Sequence, residues 1–140
     1  MFLFRLLPCL LALSLLSVPV FAGQYNYISP ERLEQLLRQQ APLTIVDIQV
    51  EQEFTAGHIK GAQPTYAFPV KTAQDQAKLD TIAASLGKSD TPVVIVCPRG
   101  AGGAERTFQY LAAKGIATER LQILKKGQAG WNCPDLTEKN

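Results

Sequence analysis

Three short apolar runs constrain this chain most. Leu43–Ile48 and Pro92–Val96 are nearly continuous in Leu, Ile and Val, and Leu121–Leu124 is a shorter third run. Runs of this length, apolar on both alternating faces, read as strands buried on two sides. Helical patterns separate them. Ser29 can cap a helix with Pro30 at its first position. Ile28 and Leu33 stand at the spacing of a hydrophobic staple, and Leu33, Leu36 and Leu37 form one stripe. Glu51–Ala56 reads as a single helical turn. Asp75–Leu86 reads as one helix with Leu79, Ile82, Ala83 and Leu86 inward and Gly87 as its stop. Gly103–Lys114 reads as another, with Ala104, Phe108, Leu111 and Ala112 inward and Gly115 closing it. Gly23–Tyr27 is a polar lead-in, and Lys125–Asn140 a loop with a turn near Ala129. Strands alternating with helices imply an α/β domain with a central, mainly parallel sheet flanked by helices. Ligands of such sheets bind beyond the carboxyl ends of the strands. Cys97 directly follows Val96, at one of those ends.

The 140 residues suffice for one domain. The first of them read as a leader. Met1–Ala22 carries one basic residue, Arg5, then an apolar run from Leu6 to Val20, and ends in Val20-Phe21-Ala22, with small residues at the first and third places before the expected cut. The run is shorter than the roughly 20 residues that span a bilayer, and Cys9 lies too early in it to be a lipoprotein cysteine. The expectation is a signal peptide over 1–22, a domain over 23–140, a periplasmic or secreted location, and no stable membrane insertion after cleavage. An uncleaved anchor is the alternative. The formal net charge of +2 includes Arg5, so the mature chain lies nearer neutrality. No basic stripe marks a nucleic-acid partner.

Cys97 and Cys133 remain after the leader. Export places them where a pair can oxidise, although two cysteines are too few for a disulfide scaffold. With His58 as the only histidine and no CxxC, neither a metal site nor a cofactor is expected.

The densest chemical signal is Val96-Cys97-Pro98-Arg99-Gly100-Ala101-Gly102-Gly103, set between a strand and a helix. Its glycines let the loop curl and turn N–H groups inward. Such a nest, joined to a helix N-terminus, holds an anion, which here can be the sulfur of Cys97 itself. Arg99 adds a permanent charge that can serve the sulfur or an anionic substrate. Pro98, Arg99, Gly100, Ala101, Gly102 and Gly103 are thus the candidate substrate-binding residues. On the loop alone, a small buried cysteine in front of a glycine-rich turn is the competing reading. The GxxxxGK[ST] nucleotide pattern is missing.

A second segment changes the balance. Asp47-Ile48-Gln49-Val50-Glu51-Gln52-Glu53-Phe54-Thr55-Ala56-Gly57-His58-Ile59-Lys60-Gly61-Ala62 resembles the upstream signature of rhodanese domains, D-x-R-x-x-x-E-F-x-x-G-H-I-x-G-A. Asp47, Glu53, Phe54, Gly57, His58, Ile59, Gly61 and Ala62 match in one ungapped frame. Leu124-Lys125-Lys126-Gly127-Gln128-Ala129-Gly130-Trp131 is similar to the family's closing L-x-G-G-x-x-x-W segment, and the cysteine loop lies between. The resemblance, from about Tyr27 to Pro134, implies a rhodanese-like α/β fold. It also implies a sulfurtransferase in which Cys97 attacks a sulfane-sulfur donor such as thiosulfate, a small sulfur-containing anion. A persulfide on Cys97 would then pass its outer sulfur to a thiol or cyanide acceptor. The loop amides would cradle that persulfide, and the kinetics would be ping-pong.

The sequence also departs from the pattern. Gln49 replaces the usual arginine, which removes any buried Asp–Arg pair. Many relatives read C-x-x-G-x-R-S, whereas Gly102 and Gly103 stand in the last two places here. The distance from Cys97 to Gly115 suggests a loop longer by one residue. Related phosphatases and arsenate reductases carry C-x-x-x-x-x-R; Gly103 occupies that arginine's place, and Arg106, the candidate substitute, is expected on the helix. His58 and Asp47 are expected to be structural, Trp131 to pack, and Lys125 and Lys126 to be solvated or to attract anions. Cys133 is either a resolving thiol for Cys97 or an inert, partly buried one. Two other functions stay open: a thiol–disulfide redox protein using Cys97 and Cys133, and a non-catalytic rhodanese-like binding module.

Overall fold

The computed structural model describes residues 24–140; the expected leader, 1–22, lies outside the described residues. Five parallel strands form the central sheet: β1 (Tyr27–Ile28), β2 (Thr44–Asp47), β4 (Gln63–Pro64), β5 (Val93–Val96) and β6 (Leu121–Leu124). Their order is β1-β6-β5-β2-β4. The three apolar runs are the three inner strands. The edge strands escaped the sequence because each is two residues long and neither is uniformly apolar. Pro64 sits in β4, where an edge position tolerates its missing N–H. A further pair, β3 (His58–Ile59) and β7 (Thr137–Glu138), is antiparallel and draws the tail, expected to be a loop, back onto the domain. The anticipated turn near Ala129 is a 3₁₀ turn over Gln128–Gly130.

Strand alternation sorts the core into two layers. Val93, Ile95 and Cys97 face one side; Val94 and Val96 face the other. The first side is covered by α4 (Asp80–Leu86) and α5 (Gly102–Ala113), through Ile82, Leu86, Phe108 and Leu111. Full burial of a side chain such as Phe108 contributes about 2–3 kcal/mol. The second side is covered by α1 (Pro30–Arg38), with Leu33 at its centre, and by Trp131 and Cys133 from the tail. The α1 N-terminus is built as expected: the Ser29 side chain accepts from Arg32 N, and Pro30 opens the helix.

One helix expected over 75–86 is two. Thr72 and Asp75 form a reciprocal capping box, which starts α3 (Ala73–Ala77) earlier than the apolar periodicity suggests. The chain then tightens through Lys78 N–Asp75 O and Leu79 N–Gln76 O bonds, each spanning three residues, and α4 begins afresh. α3 buries no side chain, whereas Leu79 is fully buried. The break lets Leu79 turn inward.

Asp47 ends β2 in full burial. Its carboxylate accepts from Gln49 N at 2.9 Å and Gln49 Nε2 at 3.0 Å, and Nε2 also reaches Gly57 O at 3.3 Å. Gln49 therefore partners Asp47 where the family signature has arginine. Burial pushes the Asp47 carboxyl above the ordinary carboxylate range, while the Gln49 donors pull it down. His58 is structural as expected: its ring stacks on Phe54 with centroids 3.8 Å apart, and Nδ1 lies 2.8 Å from Phe54 O.

A carboxyl whose folded pKa is raised stabilises the fold most when protonated, and that contribution fades as pH climbs through the folded pKa. Gln49→Leu removes a side-chain donor that matters chiefly to the ionised form. It should cost about 2 kcal/mol at neutral pH and clearly less at about pH 4, as read by urea unfolding at both values.

Candidate active site

Cys97 is the first residue past β5, the central strand, and its side chain is 2% exposed. Its Sγ accepts a hydrogen bond from Gly100 N at 3.0 Å. Gly100 has φ +72°, and this left-handed turn, which glycine adopts at no steric cost, swings its N–H back to the sulfur. The loop is seated on the turn after β6. Gln128 N donates to Cys97 O at 2.8 Å, and Ala129 N to Pro98 O at 3.0 Å. The two backbones touch so closely that a Cβ on Gly100 would lie 2.7 Å from Lys126 N, and one on Gly127 would lie 2.1 Å from Cys97 O. The closing signature segment thus buttresses the cysteine loop. Lys126 takes the place of that segment's first glycine, in left-handed backbone at φ +62°.

α5 begins at Gly102, so the Gly102 and Gly103 amides belong to a first turn that has no intrahelical acceptors for them. A Cβ on Gly103 would meet the Phe68 ring at 3.0 Å and Ile48 Cδ1 at 3.2 Å. The room that a serine would need is already filled.

Above the sulfur opens a cavity of about 340 Å³. Of the six candidate binding residues, Pro98, Arg99, Ala101, Gly102 and Gly103 line it; Gly100 instead sits beneath, bonded to Sγ. Four wall residues had no site signal in the sequence: Glu53, Phe68, Pro69 and Lys71. The last three lie in an irregular segment without periodicity. Arg106 is on α5, as expected, yet it lines the cavity too, because a residue four along a helix from Gly102 shares its face. Lys71, Arg99 and Arg106 face one carboxylate, Glu53, so the cavity is net cationic. Lys125 and Lys126 do not line it.

Cys133 is not brought to this cavity. Both cysteines are free thiols, and they lie in core layers on opposite faces of the sheet. A hydrogen bond to the Glu34 carboxylate, and then burial, hold the Cys133 thiol above the usual thiol range. That setting keeps it protonated and gives no support to a resolving role.

Residues 29–133 match the model of the rhodanese-like domain family. The chain belongs to this family. Solved structures agree. A rhodanese-like domain protein from Staphylococcus aureus is 26% identical over 82% of this chain and 98% of that one, with a TM-score of 0.58. A rhodanese-like domain from Anabaena sp. is 20% identical over 84% and 81%, with a TM-score of 0.63. A yeast protein tyrosine phosphatase of the rhodanese family is 18% identical over 82% and 92%, with a TM-score of 0.65. No curated protein sequence gave a significant match. The rhodanese-like fold therefore accounts for the central sheet and the helices that flank it.

Gly127→Ala should force the cysteine loop off its seat. The expected loss is about 3 kcal/mol of stability. Gly115→Ala, at φ +94° but with nothing within 4 Å of the new Cβ, should cost only about 1 kcal/mol of backbone strain. Thermal melts of the two variants check the contrast.

Proposed function

We propose that this rhodanese-like domain is a sulfurtransferase that carries sulfane sulfur as a persulfide on Cys97. The observation that carries the reading is the Gly100 N–H held 3.0 Å from Sγ at the floor of a net cationic cavity. In the first step the Cys97 thiolate attacks the outer sulfur of thiosulfate. A new S–S bond forms, the donor's S–S bond breaks, and its electron pair leaves with sulfite. In the second step a nucleophile such as cyanide takes the outer sulfur, and the Cys97 thiolate returns. Charge is conserved in both steps. The persulfide anion would rest on the Gly100 amide and the orphan amides of the α5 first turn, fixed donors in place of water. Cationic walls suit an anionic donor and a departing sulfite. A signal peptide over 1–22, as the sequence reads, would place this chemistry in the periplasm or outside the cell.

The sheet between Cys97 and Cys133 speaks against a dithiol–disulfide cycle. The phosphatase name of the yeast relative belongs to that protein, and likeness at 18% identity shows the fold alone.

Thiosulfate should add the mass of one sulfur atom to the intact protein, and cyanide should remove it as thiocyanate. Cys97→Ser should abolish both, while Cys133→Ser leaves them unchanged. Turnover of p-nitrophenyl phosphate with no sulfur uptake from any donor would overturn the proposal.

A further inference from the structure

We propose that Arg106 is the specificity-determining group of this cavity, holding the oxyanion end of a sulfonate-bearing donor such as thiosulfate from above Gly102. The inference rests on the persulfide reading and deepens it by naming the residue that selects the donor.

The geometry starts from the guanidinium. Arg106 Nε and Nη2 both donate to Pro69 O, at 3.0 and 2.9 Å. This clamp fixes the plane of the group. Nη1 keeps no hydrogen-bond partner among the described residues. Its position is set by Gly102, where an added Cβ would lie 2.8 Å from Nη1. The free guanidinium edge therefore lies against the first turn of α5, beside the Gly102 and Gly103 amides that have no intrahelical acceptor. Cys97, Gly102, Gly103 and Arg106 all line the same cavity. One small space thus holds a nucleophilic sulfur, a preset cationic edge and two amides.

A sulfonate fits that combination. Its oxygens can accept from Nη1 and from the first-turn amides together, leaving the outer sulfur of the donor to meet Sγ. Sulfite then departs from the Arg106 side. Lys71 and Arg99 add charge to the same cavity, against the single carboxylate of Glu53. Among the described residues neither has a side-chain hydrogen bond to hold it, so each would lose rotamer freedom on binding. Arg106 is held before the donor arrives. Gly102, one helical turn earlier, is the residue that makes room for it.

The test compares two donors: thiosulfate, and a small alkyl persulfide that lacks an oxyanion. Arg106→Ala should lower kcat/KM for thiosulfate about tenfold to a hundredfold, chiefly through KM. Transfer from the alkyl persulfide should stay within about twofold. Sulfite binding to the unloaded protein, measured by calorimetry, should weaken in parallel with the thiosulfate effect. Arg106→Lys, which keeps a cation on the helix but not the two-point clamp on Pro69 O, should show a smaller thiosulfate loss of the same selective kind and stands in if Arg106→Ala does not fold. Equal losses with both donors would reduce Arg106 to a support for the Pro69 wall and overturn the inference, as would unchanged thiosulfate kinetics. A wild-type protein that takes sulfur from neither donor would instead refute the persulfide reading, and this inference with it.

Discussion

The contact between two stretches of main chain, Cys97–Gly100 and Leu124–Ala129, underlies everything at the candidate active site. The stretches meet without side chains between them, joined by Gln128 N–Cys97 O and Ala129 N–Pro98 O bonds. Gly100 and Gly127 both adopt left-handed backbone there. The buttress fixes the direction of the Gly100 N–H, and so the environment of the sulfur. Because β5 and β6 are hydrogen-bonded neighbours, the loop and its support leave the sheet side by side. A parallel central pair is thus the scaffold on which the cysteine can be presented.

The sheet also partitions chemistry. Alternation along β5 sends Cys97 toward the α4 and α5 layer, while Cys133 packs with α1. Each thiol meets a different electrostatic setting: one below a net cationic cavity, the other hydrogen-bonded to Glu34. Asp47 shows the same economy at the end of β2. The residue that replaces an arginine, Gln49, still satisfies the buried carboxylate with its own backbone and side-chain donors.

Much of this was legible in the sequence. The inner strands declared themselves as apolar runs, the α1 cap as Ser29-Pro30, and the floor of the cavity as Cys97 at a strand end. What was missed has physical causes. Tyr27–Ile28 and Gln63–Pro64 are edge strands too short to show a period. The helix over 75–86 divided because the Thr72–Asp75 capping box outweighed the apolar periodicity. The Phe68–Lys71 wall is irregular, and its residues reach the cavity only through tertiary packing. Arg106 was visible as a helical residue, but its arrival in the site depends on Gly102 being small and Pro69 O being within reach.

The near-complete burial of the Cys97 side chain has a consequence for timing. The bare sulfur is reached only down the cavity, so bulky oxidants and proteins are kept from it. In the proposed sulfurtransferase, loading a second sulfur would move the reactive atom outward by about 2 Å, the length of one S–S bond. On that proposal the resting protein would hide its nucleophile, and the charged one would offer its cargo at the entrance. An acceptor would then have to come as a small molecule or as a slender, exposed arm, and would find something to collect only after the donor had called.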